Sequence, residues 1–151
     1  MKNFKEDLEF GNKYEKEFLE HIDYDNFEIM KGNFKPYDII VNHKDKEFKI
    51  EVKSDRLTHR TGNICIEYSC RGKPSGITTT QSGCYGYFEV INDNEMIYNL
   101  YIIPTKTIKK AIKDKKYHRC INGGDDYASR FYLFNKDIFK KYLMYNFYDE
   151  E

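Results

Sequence analysis

Asp38, Glu51 and Lys53 are the residues whose types and spacing most readily build a reactive centre in this sequence. Asp38 sits in Tyr37–Val41, where Tyr37, Ile39 and Val41 point one way and Asp38 the other. Glu51 and Lys53 sit in Phe48–Lys53, where Phe48, Ile50 and Val52 alternate with Lys49, Glu51 and Lys53. Period-two alternation predicts two half-buried strands, and the polar segment Asn42–Glu47 between them reads as a turn. A hairpin centred between Lys44 and Asp45 sets Asp38 directly across from Glu51, with Cβ atoms about 4.5–5.5 Å apart. Lys53, two residues further on, shares that face. Like charges opposed on a sheet are destabilising, so the arrangement makes sense with a cation between them. Two carboxylates, a backbone carbonyl and waters meet the oxygen-only, octahedral demand of Mg²⁺, for which Mn²⁺ can substitute. Such an ion polarises a phosphoryl oxygen and lowers the pKa of a bound water. Lys53 would orient that water or stabilise charge on the phosphate. No organic cofactor is expected.

The surrounding sequence predicts the elements that must carry these residues. Gly11, Tyr14, Phe18 and Ile22 recur at helical spacing, with Leu19 widening the stripe, which predicts a helix from about Lys5 to Ile22. Glu15 lies on the edge of that apolar face, within reach of the same site, while Glu17 and Glu20 fall on the polar side. Phe27–Met30 reads as a short strand, and Ile64–Ser69 as a further strand extending the sheet. Arg71–Gly83 reads as a loop leading into a short helix. Tyr85–Ile91 and Asn99–Ile103 are predicted strands, Pro104–Lys116 a helix, Arg130–Phe134 a strand and Lys136–Tyr148 a closing helix. No repeat or linker divides the 151 residues, so residues 1–151 are read as one domain. Helices at both ends of a strand-rich middle imply an α/β (α+β) sandwich.

Pro36-Tyr37-Asp38 followed by Glu51-Val52-Lys53 on the next strand resembles the signature of the PD-(D/E)XK nuclease superfamily. Gly11-x-x-x-Glu15 on the preceding helix is similar to the helix-borne acid of its resolvase-like branches. Tyr37 between Pro36 and Asp38 is the one departure. The resemblance spans roughly Lys5 to Ile103 and leaves 104–151 outside its motifs. It implies a restriction-endonuclease-like αβββαβ core with a central mixed sheet flanked by helices. It further implies Mg²⁺-dependent hydrolysis of DNA phosphodiesters, with Asp38 and Glu51 as metal ligands and Glu15, Asp38, Glu51 and Lys53 as catalytic residues. A small chain with a helix glutamate leans toward Holliday-junction or other branched DNA. That activity calls for a homodimer placing two sites on two strands.

Other residues are candidates with plainer alternatives. Arg71, Lys73, Ser75, Thr79, Thr80 and Gln81 could line a phosphate-contacting loop, or simply a polar surface. Glu67 reads equally as a solvent-facing strand residue or as part of the site. His59 and Arg60 follow the central strand and could touch DNA. Gly123-Gly124-Asp125-Asp126 is read as ordinary turn chemistry. The cluster Lys106, Lys109, Lys110, Lys113, Lys115, Lys116 and Arg119 is a solvated helix face or a phosphate-contacting one, while Asp149, Glu150 and Glu151 make the end acidic. Tyr142, Tyr145 and Tyr148 are expected to pack the closing helix.

Composition sets bounds on these readings. With 25 basic and 25 acidic residues the net charge is zero, which argues against nucleic-acid binding by bulk charge alone. No run of roughly 18 apolar residues or charged-then-apolar leader is present, so a soluble, intracellular and cytoplasmic protein without a membrane partner is expected. Cys65, Cys70, Cys84 and Cys120 show no close C-x-x-C pair, which leaves a structural zinc site as a minor alternative. A non-catalytic nucleic-acid-binding module on a nuclease-like fold is the principal rival reading.

Overall fold

The computed structural model describes residues 4–34 and 36–147. The first helix, α1 (Phe4–Leu19), buries Tyr14, Phe18 and Leu19 along the stripe expected from their spacing. Burial of a side chain such as Phe18 contributes about 1.5–3 kcal/mol. Its seat is a six-stranded sheet formed by β1 (Asn26–Ile29), β2 (Ile39–His43), β3 (Lys46–Asp55), β6 (Cys84–Asn92), β7 (Ile97–Pro104) and β10 (Leu143–Asn146), in the order β1-β2-β3-β6-β7-β10. Only the β3–β6 pair is parallel, so the sheet is mixed. Ile39, Val41, Ile50, Val52 and Phe88 face α1. Gly86 allows the close approach: a Cβ there would lie 2.5 Å from two ring carbons of Phe18. The Tyr14 hydroxyl donates to Asp93 Oδ1 (2.8 Å), and the Tyr98 hydroxyl donates to Glu17 Oε1 (2.7 Å). These bonds fix the rotation of α1 about its axis, and with it the direction of Glu15.

The opposite face of the sheet carries a second core. Tyr85, Tyr87, Tyr101 and Ile103 pack with Ile64, Ile66, Phe134 and Phe139. Ile64 and Ile66 belong to β4 (Asn63–Cys70), which forms a second sheet with β5 (Lys73–Pro74), β8 (Arg119–Gly123) and β9 (Ser129–Asn135), in the order β5-β4-β9-β8. The chain therefore leaves the first sheet after β3, builds β4 and β5, and returns at β6. It leaves again after β7 through α3 (Thr105–Lys113), builds β8 and β9, and returns at β10. A short helix, α2 (Thr58–Thr61), begins the first excursion.

The mixed α+β architecture with flanking helices agrees with the expectation, and three local readings are corrected. Ile64–Ser69 does not extend the first sheet; it founds the second. Arg71–Gly83 contains β5 and a single 3₁₀ turn at Gly76–Thr78 in place of the expected helix, so the crossover from β3 to its parallel partner runs through the one-turn α2 and then mainly through strands. The closing helix predicted for Lys136–Tyr148 is a 3₁₀ segment (Lys136–Tyr142) followed by β10. Tyr145 consequently packs from a strand, tilted on Tyr98 with ring centroids 5.2 Å apart. Tyr148 and the acidic Asp149, Glu150 and Glu151 lie outside the described residues. Among the described residues no helix is long and apolar enough to cross a membrane.

Candidate active site

The β2–β3 hairpin places the central residues. Lys44 and Asp45 both have positive φ (51° and 63°), the signature of a two-residue type I′ turn whose twist matches the flanking strands. That turn sets the register Ile39↔Ile50, Ile40↔Lys49, Val41↔Phe48. The register is the one the sequence predicts; Asp38 lies one residue beyond the last pair and lines the same cleft as Glu51. Asp38 is where the ladder ends. Its N–H donates to the Ile50 carbonyl (3.0 Å), and its Oδ2 accepts from the Val52 N–H (2.8 Å). The aspartate thus has a structural task the sequence did not disclose: it satisfies a strand donor that β2 no longer reaches.

Glu51 and Lys53 rise from the same face of β3. Lys53 Nζ lies 3.2 Å from Glu51 Oε1, with Glu51 sunk into the floor and Lys53 reaching outward. Glu15 arrives from α1. Burial, then the charges of Asp38 and Glu51, push its carboxyl up to about 7, with Lys53 opposing. Glu51 is also held above the usual carboxylate range, by burial first, with Asp38 and Glu67 adding to it against the pull of Lys53. Burial acts to lower the Lys53 ammonium, but Glu51 and Asp38 outweigh it and hold the group above its ordinary value. The three carboxyls therefore repel one another across a site that has one close ammonium.

Two further residues join the site. Glu67 on β4 lines the same cleft as Glu15, Asp38, Glu51 and Lys53. Its Oε2 accepts from the Ser75 hydroxyl (3.0 Å). Gly76 (φ 54°) follows, pressed so closely on the Glu67 carbonyl that no side chain would fit there. Tyr85, paired with Glu51 across the parallel β3–β6 ladder, is 1% exposed, and its hydroxyl is buried without a hydrogen-bond partner. Burial raises its phenol, and the charges of Glu51, Asp38 and Glu67 raise it further. Tyr85 reads in the sequence as one more core aromatic; only the strand pairing reveals its neighbours.

The polar-loop candidates divide. Ser75 and Thr79 line the cleft. Gln81 is exposed, with its backbone N–H on the Pro36 carbonyl, and Lys73 is exposed on β5; neither side chain lines it. Arg71 points elsewhere, 3.9 Å from Asp126. The α3 lysines are likewise outside it: Ile108 and Ala111 bury the inner face of that helix, and Lys110 pairs with Asp114 at 2.7 Å. The four cysteines are free thiols.

The donor set suits a hard cation. Among the described residues no three His, Cys, Asp or Glu side chains are gathered closely enough to hold a metal on their own. Mg²⁺ needs only one or two carboxylates with water completing its shell, and Asp38 and Glu51 are the residues that could supply them. Comparison with family models, with curated proteins and with solved structures finds no match to this chain.

Proposed function

We propose that this chain is a divalent-metal-dependent nuclease that hydrolyses phosphodiester bonds in DNA, built on a variant of the restriction-endonuclease-like core. The observation that carries the reading is the convergence of Asp38, Glu51 and Lys53 where the β2–β3 ladder ends, inside a cleft that also receives Glu15. The order α1-β1-β2-β3 agrees with the PD-(D/E)XK pattern that the motifs resemble. The crossover, with only the one-turn α2 and otherwise built from β4 and β5, is a departure from it.

Asp38 and Glu51 would hold Mg²⁺, which supplies charge stabilisation to a phosphoryl oxygen and a lowered pKa to a water. Lys53 stands beside Glu51 with its ammonium strengthened by the carboxylates, placed to bind a phosphate oxygen and stabilise developing charge. Glu15, with a carboxyl near 7, can hold or release a proton at neutral pH, the property of a general acid or base.

The test is cleavage of a panel of single-stranded, duplex, flap and four-way-junction DNA with Mg²⁺ or Mn²⁺. The wild-type chain is expected to cut at least one member. Asp38→Ala and Glu51→Ala are expected to fold and to lose cutting by at least about 10²–10³-fold. Undiminished cutting by either variant would overturn the assignment.

A further inference from the structure

The cleft extends well beyond its carboxyls. It encloses about 1070 Å³, and the wall contributed by α1 and by the segment after β1 presents two large apolar side chains to solvent among its polar ones. Leu8 and Phe34 line that wall with 52% and 43% of their surfaces exposed. The Phe34 ring is held edge-on to Tyr37, with centroids 5.0 Å apart and planes at 75°, a contact that fixes its orientation without covering it. Lys16 and Lys31 line the same cleft. A half-exposed aromatic ring in a cleft that also holds two lysines, beside a candidate phosphodiester site, matches an unstacked nucleobase with its neighbouring phosphates.

Duplex DNA fits this surface poorly. Its bases are already stacked, so it offers nothing to Phe34. Strong duplex binding also draws on many Lys and Arg contacts to the backbone, whereas this chain has zero net charge and its α3 lysines lie outside the cleft.

We infer that the cleft accepts an unpaired DNA strand, with one base stacked on Phe34 and Lys16 and Lys31 contacting flanking phosphates. The inference rests on the nuclease reading above and names its substrate class: a single strand, a flap, or the splayed nucleotides beside a branch.

The test measures binding and cutting separately on the full chain. A short single-stranded oligonucleotide carrying 2-aminopurine, and the blunt duplex of the same sequence, are titrated in EDTA with fluorescence intensity and anisotropy as readouts. Wild type is expected to prefer the single strand and to quench the probe. Phe34→Ala weakens that binding by about 10-fold, as the loss of one base–aromatic stack does. Phe34→Tyr retains it, and Phe34→Leu loses the quench; because Phe34 is half-exposed, all three variants should fold. Cutting is then assayed with Mg²⁺. Equal affinity for both DNAs, or binding indifferent to Phe34→Ala, overturns the inference even if DNA is cut. Binding that depends on Phe34 without cutting of any substrate removes the nuclease reading and leaves strand docking in place.

Discussion

The face of β3 and β6 that bears the second core carries acidic residues at both ends, and the two ends are finished differently. At one end, Asp55 Oδ1 accepts from the N–H groups of Leu57 and Thr58, and its Oδ2 accepts from the Tyr87 hydroxyl at 2.7 Å. Beside it Glu89, with no exposed surface, is met by Asn99 Nδ2 (3.0 Å) and Lys136 Nζ (2.8 Å), with His59 Nδ1 at 3.7 Å. At the other end, Glu51 has Lys53, and otherwise faces Asp38, Glu15 and Glu67. The tyrosines repeat the contrast. The Tyr87 hydroxyl serves Asp55, Thr58 and the Cys65 N–H, whereas the Tyr85 hydroxyl, two residues earlier, has no partner. One strand pair thus holds a closed acidic network, in which each carboxylate has its donors, and an open one, whose carboxyls the proposed metal would neutralise.

The sharpest way to break this comparison is to remove one charged group at each end. Glu51→Gln should abolish Mg²⁺-dependent cutting, by at least about 10²-fold, while leaving the melting temperature of the metal-free protein unchanged or higher. Lys136→Met should do the reverse: stranding Glu89 in the interior costs about 3 kcal/mol, read by urea denaturation, with cutting of a standard substrate retained in the folded protein. A stability loss at Glu51 as large as that at Lys136 would make the Glu51 end architectural too.

The next effect is pH-dependent. Glu15 has a folded pKa of about 7 against an ordinary 4.5. Between these values the native state keeps a proton the unfolded chain has released, so the group subtracts stability as pH rises, fully so above 7. Glu15→Gln should therefore melt higher than wild type at pH 8 in EDTA and show no such gain at pH 4. A gain of equal size at both pH values would place its origin in packing. The smallest effect is at Tyr85. Removing an orphaned buried hydroxyl as Tyr85→Phe should be neutral or stabilising by up to about 1 kcal/mol, in contrast to Tyr87→Phe, which leaves Asp55 short of a donor and should destabilise.

The sequence disclosed the centre of the site better than its walls. Alternation in Phe48–Lys53 and the polar break at Lys44–Asp45 are local signals, and a hairpin is a local structure, so the register of β2 on β3 could be read from the sequence. Glu15 was legible for a similar reason: helical spacing fixes which residues flank an apolar stripe. Glu67 was not, because Ile64 and Ile66 alternate in the same way whichever sheet they join, and periodicity carries no information about partners. β8, five mostly exposed residues, has too little apolar pattern to register. The closing segment misled because Ile138, Phe139, Tyr142 and Leu143 fall at helix-like spacing. The backbone instead departs from helical geometry at Phe139 (φ −106°, ψ 17°) and turns into β10. The role of Asp38 in ending the ladder depends on β2 stopping where it does, which is a tertiary fact.

The double excursion of the chain between the sheets bears on how the protein reaches its native state. Glu67 belongs to a strand inserted between the two members of the parallel pair, and the sheet that holds Glu51 is completed only when β10, near the end of the described chain, pairs with β7. Contacts of such high sequence separation must close long loops before they are rewarded, which slows folding relative to hairpin-only topologies. The β2–β3 hairpin can form early and alone, yet the cleft wall opposite it cannot. Competence to bind a strand should therefore be the last property acquired during refolding, appearing with burial of the second core rather than with the first strand signal.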